Sequence, residues 1–233
     1  MWIASFPAGP WQTNCYLLAA EPGADCIIID PGMTALQTIE KTVAEHELTP
    51  VAVLLTHGHI DHLADAEPVC TRYDIPLWIA AEDRHLLSDP TAGFGSARDL
   101  LAQFGIERDF VEPEVVHELV DGQPIAVADL KVQVQAAPGH TPGCMLLSVD
   151  WPADQQPEGM TVSQAIFTGD VLFAGSIGRT DLPGGDQSVM DETLRTVVAH
   201  LDPNAVILPG HGPQSTIARE LATNPYLQNI ERP

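Results

Sequence analysis

The segment Thr56-His57-Gly58-His59-Ile60-Asp61-His62 sets three imidazoles and one carboxylate within six residues, directly after the apolar run Val51 to Leu55. Imidazole nitrogens and carboxylate oxygens are the ligand types that suit zinc, and they serve iron or manganese as well. In an extended turn side chains alternate with period two, so His57 and His59 point to the same side. A helix entered at Asp61 then turns Asp61 and His62 toward a neighbouring position. One short loop can in this way supply two adjacent metal centres.

Two later segments repeat the plan of a strand followed by a glycine-flanked histidine: Pro138-Gly139-His140-Thr141-Pro142-Gly143 and Pro209-Gly210-His211-Gly212-Pro213. Between them, Phe167-Thr168-Gly169-Asp170 places a carboxylate just past another strand. Glycine in such turns permits tight reversal and close backbone approach, whatever the histidine does. Each segment alone is a weak signal. Together with the first cluster they point to a metal site assembled from several loops.

The elements that must carry these loops are legible from period and punctuation. Strands are expected over Trp11 to Ala20, Asp25 to Asp30, Val51 to Leu55, Leu77 to Ala80, Ala165 to Thr168 and Ala205 to Leu208, with further β structure from Val115 to Val149. The run Ile27-Ile28-Ile29 reads as a strand buried on both faces. Helices are expected over Thr34 to His46, with Thr34 as N-cap, from Asp61 to about Arg72, over Ser188 to Leu201, and from Ser215 onward. Residues 81–113 read as helical and irregular, a lid or an edge, in which Phe94 and Phe104 read as helix-core packing ahead of the alternative, pocket lining. Two β-rich halves packed face to face with helices outside make an αββα sandwich, an α/β fold expected to occupy residues 1–233 as one domain.

Composition narrows the function. Lys plus Arg total 10 against 32 Asp plus Glu, a formal net charge of −22, which disfavours nucleic acid and anionic membrane surfaces as partners. No apolar run approaches a membrane span, and the N-terminus shows no basic and apolar leader pattern, so a cytoplasmic location is expected. The four cysteines, Cys15, Cys26, Cys70 and Cys144, are widely spaced among apolar neighbours and read as small buried hydrophobes. His46, His85, His117 and His200 lack motif context and read as surface residues.

On these motifs the chain resembles the metallo-β-lactamase superfamily, and within it the short glyoxalase II-like hydrolases. The resemblance runs from Gly9-Pro10-Trp11-Gln12-Thr13-Asn14-Cys15-Tyr16 to Asn224-Pro225-Tyr226-Leu227, with the T-H-x-H-x-D-H, G-H-T-P-G, T-G-D and P-G-H-G segments at its centre. Asp30-Pro31-Gly32 and the stretch from Phe173 to Gly185 look like the glyoxalase II-like branch. The resemblance implies that His57, His59 and His140 hold one divalent metal, that Asp61, His62 and His211 hold the other, and that Asp170 bridges them. Zinc, iron and manganese all fit this ligand set. It further implies a bridging hydroxide that attacks a small thioester, with Asp61 also orienting that hydroxide as its catalytic role. A thiolate leaves readily, so no Ser or Cys nucleophile and no separate general acid is needed.

The expected substrate is a small 2-hydroxyacyl thioester, hydrolysed to a 2-hydroxy acid and a thiol, and the expected assembly is a monomer or small homo-oligomer. Full-length glyoxalase II enzymes bind glutathione through a basic and aromatic C-terminal extension. Here about 22 residues follow His211, with Arg219 and Arg232 as their cations. Arg179, in its glycine-rich loop, is the cation placed near the pocket, read either as a substrate contact or as a loop-stabilising surface residue. The alternatives within the fold are a persulfide dioxygenase with one iron on His57, His140 and Asp170, and a lactone or β-lactam hydrolase.

Overall fold

The structure, a computed structural model, describes residues 1–94, 109–159 and 161–228; Phe104 and Arg232 lie outside them. Strand alternation builds its layers. In β3 (Asp25–Ile29), Ile27 and Ile29 face one way and Ile28 the other, and all three are fully buried, as a strand covered on both faces requires. The first sheet has the order β1-β2-β3-β4-β5-β6, from β1 (Trp2–Ala8), β2 (Thr13–Ala19), β3, β4 (Thr49–Leu54), β5 (Leu77–Ala80) and β6 (Val116–Leu119). It is antiparallel from β1 to β3 and parallel from β3 to β6.

The second sheet has the order β14-β13-β10-β9-β8-β7. Its strands are β7 (Ile125–Val127), β8 (Leu130–Ala136), β9 (Met145–Asp150), β10 (Gln164–Gly169), β13 (Val206–Pro209) and β14 (Ser215–Thr216), with only β10 and β13 parallel. A small hairpin, β11 (Leu172–Phe173) and β12 (Ser176–Ile177), stands apart from both.

The inner faces meet in one apolar layer, where Tyr16, Ile27, Ile29 and Leu54 pack with Val132, Leu147 and Phe167. The outer face of the first sheet (Leu17, Ile28, Val53) is covered by α1 (Leu36–Glu45), α2 (Ile60–Leu63) and α3 (Ala66–Tyr73). The outer face of the second sheet (Leu146, Ile166, Ile207) is covered by α4 (Gln187–Thr196) and α5 (Ile217–Thr223). The expected αββα sandwich of two mixed sheets is the observed architecture. No helix among the described residues is long and apolar enough to cross a membrane. The four cysteines are free and buried.

Several boundaries differ from expectation. Thr34 is not a cap: its φ is +60°, α1 starts at Leu36, and the Leu36 N–H donates to Asp65 Oδ2 at 3.0 Å. An N-cap residue sits in the extended region, and the turn through Asp30 (φ +51°) and Thr34 excludes that. The helix expected from Asp61 to Arg72 is two helices, because the Asp65 N–H donates to the Pro31 carbonyl at 2.9 Å and breaks the run. Ser215 pairs with β13, so the last helix begins at Ile217, capped by Thr216 Oγ1. Between residues 81 and 94 the chain forms two short 3-10 turns, Arg84–Leu87 and Pro90–Gly93.

Candidate metal centre

Four loops converge where β4, β8, β10 and β13 end. The segment after β4 carries His57, His59, Asp61 and His62; the β8–β9 turn carries His140; β10 leads into Asp170; and β13 leads into His211. Donor atoms from His57, His59 and His140 lie within 4.8 Å of one another, as do those of Asp61, His62 and His211, and those of His57, His62 and Asp170. The two triads that the resemblance implied are therefore brought together in space, with Asp170 between them. Its carboxylate is 3.2 Å from His62 Nε2 and 3.5 Å from both His140 Nε2 and His211 Nε2.

Partners on the far side of each ring fix which nitrogen faces the cluster. His62 Nδ1–H donates to Asp30 Oδ2 at 2.9 Å, His140 Nδ1–H to the Arg179 carbonyl at 2.6 Å, and His211 Nδ1–H to the Trp11 carbonyl at 3.1 Å. Such outer contacts set tautomer and ring orientation at metal sites. Asp30 also accepts from the Thr56 N–H and hydroxyl, at 2.8 and 2.6 Å, so one buried carboxylate holds both ends of the first loop. Thr13 Oγ1–H donates to Asp61 Oδ2 at 2.7 Å. The His211 loop is held from the first sheet: Asn14 Nδ2 donates to the Pro209 and Gly212 carbonyls, and the Tyr16 hydroxyl to the Pro209 carbonyl at 2.7 Å.

The electrostatics divide the cluster. Burial, with His62 and His140 nearby, holds His57 well below the ordinary histidine value, and burial next to His140 lowers His59 to about 3. These two imidazoles are neutral and ready to bind metal at pH 7. Burial opposes charge on His62 and His211 as well, but Asp61, Asp170 and Asp30 outweigh it at His62 and raise it, and Asp170 and Asp61 raise His211 to about 9. Burial likewise pushes Asp61 and Asp170 up. The charge of His62 and the His211 hydrogen bond prevail, leaving Asp61 at about 2 and Asp170 well below the carboxylate range.

Nε2 of His57, His59 and His62, and Oδ1 of Asp170, are buried without a hydrogen-bond partner. An unsatisfied buried polar atom is costly, and those of His57, His62 and Asp170, which form one donor group, fit a bound cation. Gly210 completes the cradle: a Cβ there would run into Asp170 Oδ1 and His62 Cε1. The His/Asp cluster is able to hold metal ions.

The cluster floors a cleft of about 430 Å³ walled by Trp11, Phe94, Phe173, Ile177 and Leu182. Phe94, which follows a 3-10 turn whose Gly93 rests against His59, packs against Met33, Ile60 and Ala64 and also lines the cleft, its ring tilted against Trp11 with centroids 5.2 Å apart. Arg179 also lines the cleft, but its guanidinium makes a two-pronged pair with Asp181 at 2.6 and 2.7 Å. The structure thus puts its carbonyl, rather than its charge, into the site. Asp83, Asn14 and Thr13 were outside the residues singled out for chemistry. Thr13 and Asn14 stood within a quoted motif, whereas nothing in the local sequence marks Asp83.

Residues 8–150 match the Metallo-beta-lactamase superfamily. Hydroxyacylglutathione hydrolase GloC of Haemophilus influenzae is 30% identical over 228 residues, covering 97% of this chain and 98% of that protein. The solved structure of BLEG-1 B3 metallo-beta-lactamase superposes with a TM-score of 0.81 at 32% identity, over 98% of this chain and 100% of the other. That of TTHA1623 in a di-iron-bound form gives 0.73 at 32%, over 97% and 100%. With the cluster, the sandwich and these likenesses in agreement, the chain belongs to the metallo-beta-lactamase superfamily.

Proposed function

We propose that this protein is a two-metal hydrolase of small thioesters, releasing a 2-hydroxy acid and a thiol. The observation that carries the reading is the pair of three-donor groups with Asp170 between them at the base of an apolar cleft. The likeness to a hydroxyacylglutathione hydrolase supports thioesters as the substrate class. Divalent ions bound there, zinc, iron or manganese, would supply Lewis acidity and a water acidified into the neutral range.

The chain's own part is positioning. Asp61, kept ionised and tied to Thr13, would hold the second ion with His62 and His211 and would orient a water there by accepting its hydrogen bond. Trp11 and Phe94 form one wall against which an acyl or thiol chain packs and excludes water. The Arg179–Asp181 pair leaves little positive field for an anionic carrier, so the favoured thiol is small and weakly charged.

The test is hydrolysis of lactoyl-glutathione and of lactoyl-N-acetylcysteamine by metal-loaded protein, with His59→Ala as blank. Turnover lost in that variant supports the reading. A protein with two ions and no activity on either ester overturns it. The likeness to a B3 metallo-beta-lactamase favours β-lactam hydrolysis as the second reading, and cleavage of a chromogenic cephalosporin faster than either ester would establish it. A single iron with oxygen uptake on a persulfide would favour the dioxygenase instead.

A further inference from the structure

Asp83, in the turn after β5, is fully buried. Its Oδ2 accepts from the Gly58 N–H at 2.8 Å and from the Thr141 hydroxyl at 2.6 Å, and its Oδ1 accepts from the Gly143 N–H at 3.0 Å. Gly58 separates His57 from His59, and Thr141 follows His140. Both oxygens of one carboxylate are therefore spent on the two loops, one from each sheet, that bring the first donor group together. The fit is close: a Cβ on Gly58 would come within 2.9 Å of Asp83 Cβ, and one on Gly143 within 2.5 Å of Asp83 Cγ.

The second donor group is held by other residues. Asp30 orients His62, Thr13 holds Asp61, and the Trp11 carbonyl with Asn14 and Tyr16 fixes His211 and its loop. None of these bonds involves Asp83.

We infer that Asp83 is a positioning residue for the His57, His59 and His140 group alone, so that the first metal position has a support of its own and an affinity adjustable apart from the second, while Asp30 steadies the loop that both groups share. The inference rests on the two-ion reading above. An acceptor-only group is required, because asparagine would turn an N–H₂ toward one of three N–H or O–H donors.

The experiment compares Asp83→Asn with Asp30→Asn and the wild type. Ions per chain are counted by elemental analysis after equilibration against a graded chelator, and cobalt absorption bands and thermal melting are recorded in parallel. Because replacing a buried carboxylate can unfold a chain, Thr141→Val, which removes the hydroxyl's bond to Asp83 and its contact with Cys144 Sγ and keeps the side-chain volume, is measured too. In Asp83→Asn one ion is expected to weaken about 10- to 100-fold, with its cobalt bands altered, while the other is retained and is lost on adding His211→Ala. Thr141→Val shifts the same ion in the same direction by less. Equal weakening of both ions, or of neither, overturns the inference. If the wild type binds a single ion, the two-ion reading fails; Asp83 is then upheld if Asp83→Asn weakens that ion more than Asp30→Asn, and overturned otherwise.

Discussion

The Nδ1 of His140 donates to the carbonyl oxygen of Arg179 at 2.6 Å, while the Arg179 guanidinium pairs with Asp181. A residue whose type suggests substrate charge thus acts through its backbone, fixing a ring that faces the cluster. The close approach needs Gly178 beside it, where a Cβ would run into the Asp170 carbonyl.

Arg179→Ala keeps that carbonyl and removes only an exposed ion pair, worth at most about 1 kcal/mol. Metal content is expected to be unchanged and kcat/KM for a neutral thioester to stay within about threefold, or ~0.6 kcal/mol. A loss of about 100-fold in steady-state assays would show that the guanidinium does reach substrate.

Acidity of the cluster makes metal binding proton-linked. At pH 7 the metal-free protein carries protons on His62 and His211, both raised, and a metal must displace them. Calorimetric titration in buffers of different ionisation enthalpy should show net proton release, with affinity rising as pH goes from 6 to about 9. No buffer dependence would contradict the assignment.

The metal-free fold should be most stable near pH 6.5, the ordinary histidine value. Raised His62 and His211 contribute stability below that value and lose it as pH climbs through their folded values, His211 at about 9. Lowered His57 and His59 act oppositely: below 6.5 the unfolded chain takes up protons that the folded one refuses. Melting temperature against pH, measured in chelator, should give that dome, and a curve rising steadily to pH 9 would refute it.

Tyr16 joins the two sheets twice, through its hydroxyl to Pro209 and through an edge-on contact with Phe167 at 5.1 Å. Tyr16→Phe keeps the ring contact and loses the buried hydrogen bond, so urea denaturation should show a loss of about 0.5–1.5 kcal/mol.

Burial pushes the thiols of Cys26 and Cys70 up to about 12 and raises those of Cys15 and Cys144 as well. Reactivity belongs to the thiolate. The native protein should resist alkylation at pH 8 by mass spectrometry, and all four cysteines should react in denaturant.

Chemical type and local order are already legible along the chain. Histidine and aspartate at the spacing of residues 57–62, and histidine again after glycine at 140 and 211, carry their ligand character wherever they sit. The fully apolar Ile27-Ile28-Ile29 could only be a strand covered on both faces, and so it is. The tertiary structure alone decided which partners meet. Asp83 lies 58 residues from Thr141, and Asp30 lies 32 residues from His62. Hydrogen bonds across such distances leave no period in the chain, because they depend on how two sheets stack rather than on neighbouring residue types. The same holds for Arg179 and Phe94: one side chain turned to a nearby carboxylate and one ring turned into the cleft, each by packing that begins only after the sandwich has closed.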